Sequence, residues 1–134
     1  MCLIYNLGIL LYGWVLRLAA PFNHRAALLL QGRRRLWGDL AAFSGGGQVA
    51  WVHCASLGAF EQGRPLIEAL RKQRPDHEVV LTFFSPSGYE VRKNYELSDL
   101  VLYLPADTAA NARRFIDKVQ PSEVYFIKYE YWFH

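Results

Sequence analysis

Two kinds of hydrophobic pattern divide the chain. From Met1 to Ala20 apolar residues run almost unbroken (Leu3, Ile4, Leu7, Ile9, Leu10, Leu11, Trp14, Val15, Leu16, Leu18), and Arg17 is the only charge. This run predicts a helix, and roughly 20 mostly apolar residues suffice to cross a bilayer. Pro21 ends it. Asn23 is placed to cap a second helix from about His24 to Phe43, followed by the flexible stretch Ser44-Gly45-Gly46-Gly47. Beyond residue 47 short apolar runs alternate with helical spacing. Strands are expected at Val49–Cys54, Val79–Phe84, Leu100–Leu104 and Val124–Ile127. Helices are expected over Glu61–Gln73, from Ser85-Pro86 to about Tyr95, and from an Asp107 cap to about Val119.

The strand runs are continuously apolar rather than alternating, as in strands buried on both faces of a parallel sheet. The order βαβαβαβ then gives an α/β, Rossmann-like open sheet with flanking helices, preceded by a membrane-anchor helix. The organisation is read as 1–20 anchor helix, 21–47 basic amphipathic helix and Gly-rich linker, and 48–134 Rossmann-like domain. In such a sheet ligands bind beyond the carboxyl ends of the strands. Four segments should therefore meet on one edge: Ala55–Ala59, Ser85–Gly88, Pro105–Asp107 and Lys128–Trp132.

Composition narrows the classes of function. Hydrophobic residues make up 52% of 134 residues, which excludes a disordered polar chain. Two cysteines, Cys2 and Cys54, are too few for a disulfide framework, and no zinc-type spacing surrounds them. Residues 1–40 carry five arginines against Asp39 alone, whereas residues 41–134 carry ten basic and eleven acidic side chains. The positive excess thus lies beside the apolar run, which fits an anionic membrane surface better than a nucleic acid. If the first helix spans, Arg25 and Arg33–Arg35 place the following residues in the cytoplasm; if not, it lies in the interface with Tyr12 and Trp14 among headgroups.

The candidate chemistry sits in four places. Ser56-Leu57-Gly58-Ala59 joins a strand to a helix, where a glycine admits close backbone approach and a helix N-terminus favours an anion, although a plain tight turn explains it as well. Ser85, Ser87 and Gly88 either cap a helix or bond a polar substrate. Lys128 and Glu130 follow the last strand, as site residues or as a surface ion pair. Arg33, Arg34 and Arg35 spread around a helix, as a solvated face or as phosphate ligands. His53 and Cys54 read as buried core residues.

Together the apolar anchor, Phe22-Asn23…Gly32-Arg33-Arg34, WVHCASLG, Arg64-Pro65-Leu66, TFFSPSG, Leu104-Pro105…Asp107 and YEYW resemble the amino-terminal half of the bacterial 3-deoxy-D-manno-octulosonic acid (Kdo) transferases. The resemblance implies a GT-B glycosyltransferase of lipopolysaccharide biosynthesis at the cytoplasmic face of the inner membrane. This half would bind the lipid A precursor, and a second Rossmann-like domain would bind the donor CMP-Kdo. Transfer would invert the anomeric centre without a metal or a bound cofactor. Ser56, Gly58, Ser85, Ser87, Gly88, Lys128, Glu130 and Arg33–Arg35 would serve the acceptor.

Two departures qualify what the resemblance implies. The family's general-base Glu follows the Ser-x-Gly turn, and here that position is Ala59. Glu61 is a poor substitute, since two residues along a helix turn it about 200° away. The chain also stops at His134, before any donor domain, so it is expected to be inactive alone. The alternative is a non-catalytic, membrane-tethered Rossmann-like module that binds a nucleotide or a partner.

Overall fold

The computed structural model describes residues 2–43 and 47–127. Its elements are α1 (Cys2–Ala19), α2 (His24–Ala42), β1 (Val49–Cys54), α3 (Leu57–Gln73), β2 (Glu78–Phe83), α4 (Pro86–Arg92), β3 (Leu100–Tyr103), α5 (Ala109–Val119) and β4 (Glu123–Ile127). The four strands form one parallel sheet in the order β3-β2-β1-β4, so the expected α/β architecture is the observed one.

Strand pleating sends alternate residues of β1 into two cores. Ala50, Val52 and Cys54 pack with Phe60 and Ile67 of α3 on one face. Val49 and Trp51 pack with Leu36 and Leu40 of α2 and Phe115 of α5 on the other. The Gly-rich stretch marks a change in sequence pattern, but α2 packs as part of the sheet's second covering layer. It comes close to β3 at Gly32, where an added Cβ would lie 2.0 Å from the Tyr103 ring.

Local signals moved several boundaries. Asn23 caps α2 as expected, its side chain accepting from the Arg25 and Ala26 amides. The helix expected from Glu61 starts a turn earlier, because Ser56 caps it and accepts from the Ala59 amide. The helix after Ser85 ends at Arg92 instead of Tyr95. The last helix is capped by Thr108, not Asp107; the Asp107 carboxylate instead accepts a bond from the Tyr5 hydroxyl of α1. β1 is buried throughout, as its apolar run requires. β4 has the same kind of sequence yet leaves Val124 and Phe126 nearly half exposed. Among the described strands it lies at the edge and pairs only with β1.

Candidate functional site

Because every strand is parallel, all four carboxyl ends share one edge. The chain steps from β1 out to β2 and β3, then returns across the sheet to β4 on the far side of β1. Such a reversal of strand order leaves a crevice at the carboxyl ends, here between β1 and β4. Ser56–Ala59 forms the lip on the β1 side. Lys128 and Glu130, expected on the β4 side, lie outside the described residues.

Ser56 has extended backbone (φ −146°, ψ 175°), and its Oγ accepts from the Ala59 amide at 3.4 Å. Gly58 is exposed, and a Cβ there would meet nothing nearer than Ser56 Oγ at 3.9 Å. No glycine among the described residues has a positive φ. Folding therefore does not demand glycine at 58, and its bare backbone faces open space. Gly88 is the opposite case. It is buried, and a Cβ would lie 2.3 Å from the Phe83 ring, so it brings α4 against β2. Ser85 occupies the N-cap position of α4 but makes no side-chain cap bond; its Oγ lies 2.6 Å from Ser87 Oγ.

The three arginines of α2 separate sharply. Arg34 and Arg35 are exposed. Arg33 turns inward: its Nε donates to the Leu104 carbonyl at 3.2 Å, and its guanidinium lies 5.8 Å from the centre of the Phe84 ring. It lines a cavity of about 350 Å³ with Ile9, Tyr12, Phe84 and Leu104–Asp107. Burial lowers its pKa, and no carboxylate among the described residues pairs with it. A buried cation without a carboxylate is costly unless something pairs with it.

The sequence model of the family described as 3-deoxy-D-manno-octulosonic-acid transferase (kdotransferase) matches residues 24–134, from the first residue of α2 onward. The chain belongs to the Kdo transferase family. It is 31% identical over 83 residues to the 3-deoxy-D-manno-octulosonic acid transferase of Aquifex aeolicus, covering 61% of this chain and 23% of that protein. It is 33% identical over 86 residues to that of Haemophilus influenzae (63% and 20%), and 32% identical over 92 residues to that of Chlamydia trachomatis serovar D (67% and 21%). The matched segments thus span about a fifth of the length of these relatives.

In this member of the family, position 59 is the third residue of α3 and is buried, with 2% of its surface exposed. Ser56-x-x-59 has capping-box spacing: a Glu at 59 would lie beside the Ser56 amide and the positive end of α3, which favours its ionised form. With alanine at 59, only the serine half of such a box is present. Glu61 lies in different surroundings. Its carboxylate is in solvent, bonded to Arg92 at 2.6 Å and near Arg64 at 3.5 Å. The Arg92 hydrogen bond above all lowers its pKa, so it is a weaker base than an ordinary carboxylate.

A buried polar group next to the crevice is invisible in the sequence. Trp51 Nε1 donates to Thr82 Oγ1 at 2.9 Å, and Thr82 Oγ1 lies 2.8 Å from His53 Nδ1. Burial pushes the His53 pKa down to about 4, so the ring is neutral at pH 7. Burial raises the Cys54 thiol to about 12, which makes it an inert core residue. Among the described residues no cluster of three or more His, Cys, Asp or Glu side chains is placed to hold a metal ion.

Proposed function

We propose that the chain is the acceptor-binding half of an inverting Kdo transferase of lipopolysaccharide biosynthesis, working at the cytoplasmic face of the bacterial inner membrane. The observation that carries this is the open Gly58 backbone at the lip of the β1–β4 crevice, in a chain of the Kdo transferase family. In the reaction a glucosamine hydroxyl of the lipid A precursor attacks the anomeric carbon of Kdo. The bond to CMP breaks on the opposite side, CMP leaves and the configuration inverts. No metal or bound cofactor is needed. The donor CMP-Kdo is held by a second Rossmann-like domain of the intact enzyme.

The attacking hydroxyl must lose its proton, and a positioned base supplies typically 10²–10⁴-fold in rate. That base belongs at position 59. Alanine has no proton acceptor, so this chain binds without turning over. Ser56 and Gly58 admit the acceptor, Ser85 and Ser87 form the neighbouring wall, and Gly88 holds that wall to the sheet. Glu130 bonds the acceptor sugar, with Lys128 balancing its charge. Arg33, Arg34 and Arg35 meet the phosphates and the anionic surface around them.

Binding tests this reading. A tetra-acylated, bis-phosphorylated lipid A precursor is titrated against the chain in detergent, beside a variant with Arg33, Arg34 and Arg35 changed to Glu. A plain anionic phospholipid is the control. Saturable binding selective for the precursor and weakened by the charge reversal is expected. Equal binding of both lipids would reduce the basic helix to a reader of membrane charge. Affinity for a nucleotide without affinity for the precursor would favour the non-catalytic module that Ala59 also permits.

A further inference from the structure

α1 carries two opposed faces. At about 100° per residue, Tyr5, Ile9, Gly13 and Leu16 fall on one side and are half buried, while Leu3, Leu7, Leu10, Trp14 and Leu18 fall on the other and are exposed. The half-buried side packs on the domain over several turns. The Tyr5 hydroxyl donates to the Asp107 carboxylate, Ile9 and Tyr12 line the Arg33 cavity, and the helix lies against α2.

By length and composition α1 is apolar enough to cross a membrane, but these contacts do not suit a crossing. Tyr5 lies 14 residues before Ala19, or about 21 Å along the helix axis. A hydrocarbon core is about 30 Å thick. Were Ala19 at the cytoplasmic interface of a crossing helix, Tyr5 would lie deep in hydrocarbon. Its bond to Asp107 and the Arg33 cavity beside Tyr12 would draw a carboxylate and a guanidinium in after it, where both are strongly disfavoured.

We infer that α1 lies in the plane of the membrane interface, flat along the domain, and that its partner is the headgroup–acyl boundary of an anionic bilayer. The exposed face Leu3, Leu7, Leu10, Trp14 and Leu18 enters the acyl region. Arg17, 5.6 Å from the centre of the Trp14 ring, meets the headgroups together with Arg25. Asp107 and Arg33 then stay at headgroup level, and the carboxyl edge of the sheet is held against the membrane surface. This inference rests on the membrane reading above and on nothing about Kdo transfer.

The test uses the full chain with a different protease-cleavable tag at each end, reconstituted into phosphatidylethanolamine–phosphatidylglycerol vesicles. After flotation, protease is added outside, with and without detergent. An in-plane helix leaves both ends on the same side, so both tags are cut in the same fraction of molecules without detergent. A crossing helix puts the ends on opposite sides: the amino-terminal tag is protected in just those molecules whose carboxyl-terminal tag is cut, and that result overturns the inference while leaving the membrane reading intact. Failure to float overturns both. Leu7→Asp is expected to lower the floated fraction several-fold; no change would also count against the inference, because Leu7 would then not be in contact with lipid.

Discussion

Ala59 and Glu61 lie two positions apart on α3 and face opposite surroundings. Ala59 is buried beside the Ser56 cap, whereas Glu61 projects into solvent and is held by Arg92 at 2.6 Å. The helix turns about 200° between them, so no rotamer of Glu61 carries its carboxylate to the place of a side chain at 59. In the intact enzyme, Ala59→Glu is expected to raise Kdo transfer by about 10²–10⁴-fold, and Glu61→Gln added to that variant to change it by less than about threefold. Measured transfer rates decide it. A loss on Glu61→Gln as large as the gain from Ala59→Glu would make Glu61 the base.

The glycines of the carboxyl edge differ in what they tolerate. At Gly88 a methyl group would lie 2.3 Å from the Phe83 ring, so Gly88→Ala is expected to destabilise the fold by about 1–3 kcal/mol, the usual cost of overpacking. At Gly58 the same methyl meets open space within α3, and Gly→Ala in a helix is favourable by up to about 1 kcal/mol. Gly58→Ala is therefore expected to leave Tm unchanged or raise it while weakening binding of the lipid A precursor. Thermal unfolding and precursor titration of both variants check this. Unimpaired binding by Gly58→Ala would remove that backbone from the acceptor site.

The same contrast marks how far the sequence reaches. The runs VAWVHC and VVLTFF read directly as strands covered on both faces, because burial on two sides leaves an unbroken apolar signature. VYFI has that signature too, yet β4 is an edge among the described strands, since strand order is a tertiary fact. Gly58 and Gly88 look alike in sequence. Only the ring of Phe83, brought in by β2, separates a packing glycine from an open one.

Long-range polar contacts were beyond reach for a related reason. Thr82 meets His53 because the parallel register pairs them directly across β1 and β2. Arg71 ties α3 to the segment before β3 through the Leu97 carbonyl and the Asp99 carboxylate, and to the residue before β2 through the His77 carbonyl, although nothing near Arg71 in sequence announces the links to Leu97 and Asp99. Arg33, Arg34 and Arg35 are consecutive, and their fates depend on where α1 and the Leu104–Asp107 turn sit. Of the site, the edge shared by the segments after β1, β2 and β3 was legible, while Lys128–Trp132 lies outside the described residues. Which side chains in those segments are free to meet a ligand was not.

The buried His53 makes stability depend on pH in a defined window. Its pKa falls from an ordinary 6.5 to about 4 on folding, so the unfolded chain accepts a proton that the native state refuses. Its contribution is complete above pH 6.5, is lost as pH falls toward 4 and levels off below that. At pH 4.5 the loss relative to pH 7 comes to roughly 2.5 kcal/mol. Urea unfolding of wild type and His53→Gln at both pH values isolates it, because the carboxylates common to both chains cancel. His53→Gln is expected to be less stable at pH 7 and to show the shallower decline. Parallel declines would mean that His53 titrates normally.

Variants of Arg33 test lipid recognition apart from general attraction to a charged surface. Its Nε is committed to the Leu104 carbonyl, which fixes the plane of the guanidinium in the cavity and leaves its Nη groups to form charge-assisted bonds. Such bonds are worth about 1.5–3 kcal/mol each, so Arg33→Gln is expected to weaken precursor binding by about tenfold or more. Arg34 and Arg35 are exposed, and at physiological salt their reach is limited to about 8 Å. Changing both to Gln is expected to cost less than about threefold there and more at low salt. Arg33→Lys keeps the charge without the planar fork and should fall between. Because Arg33→Gln also removes a buried charge, Tm is expected to hold or rise, which separates a binding role from a structural one. Titrations at two salt concentrations with parallel melting curves test all three variants. If Arg33→Gln behaves like the Arg34/Arg35 double variant at both salts, the cavity has no part in reading the lipid.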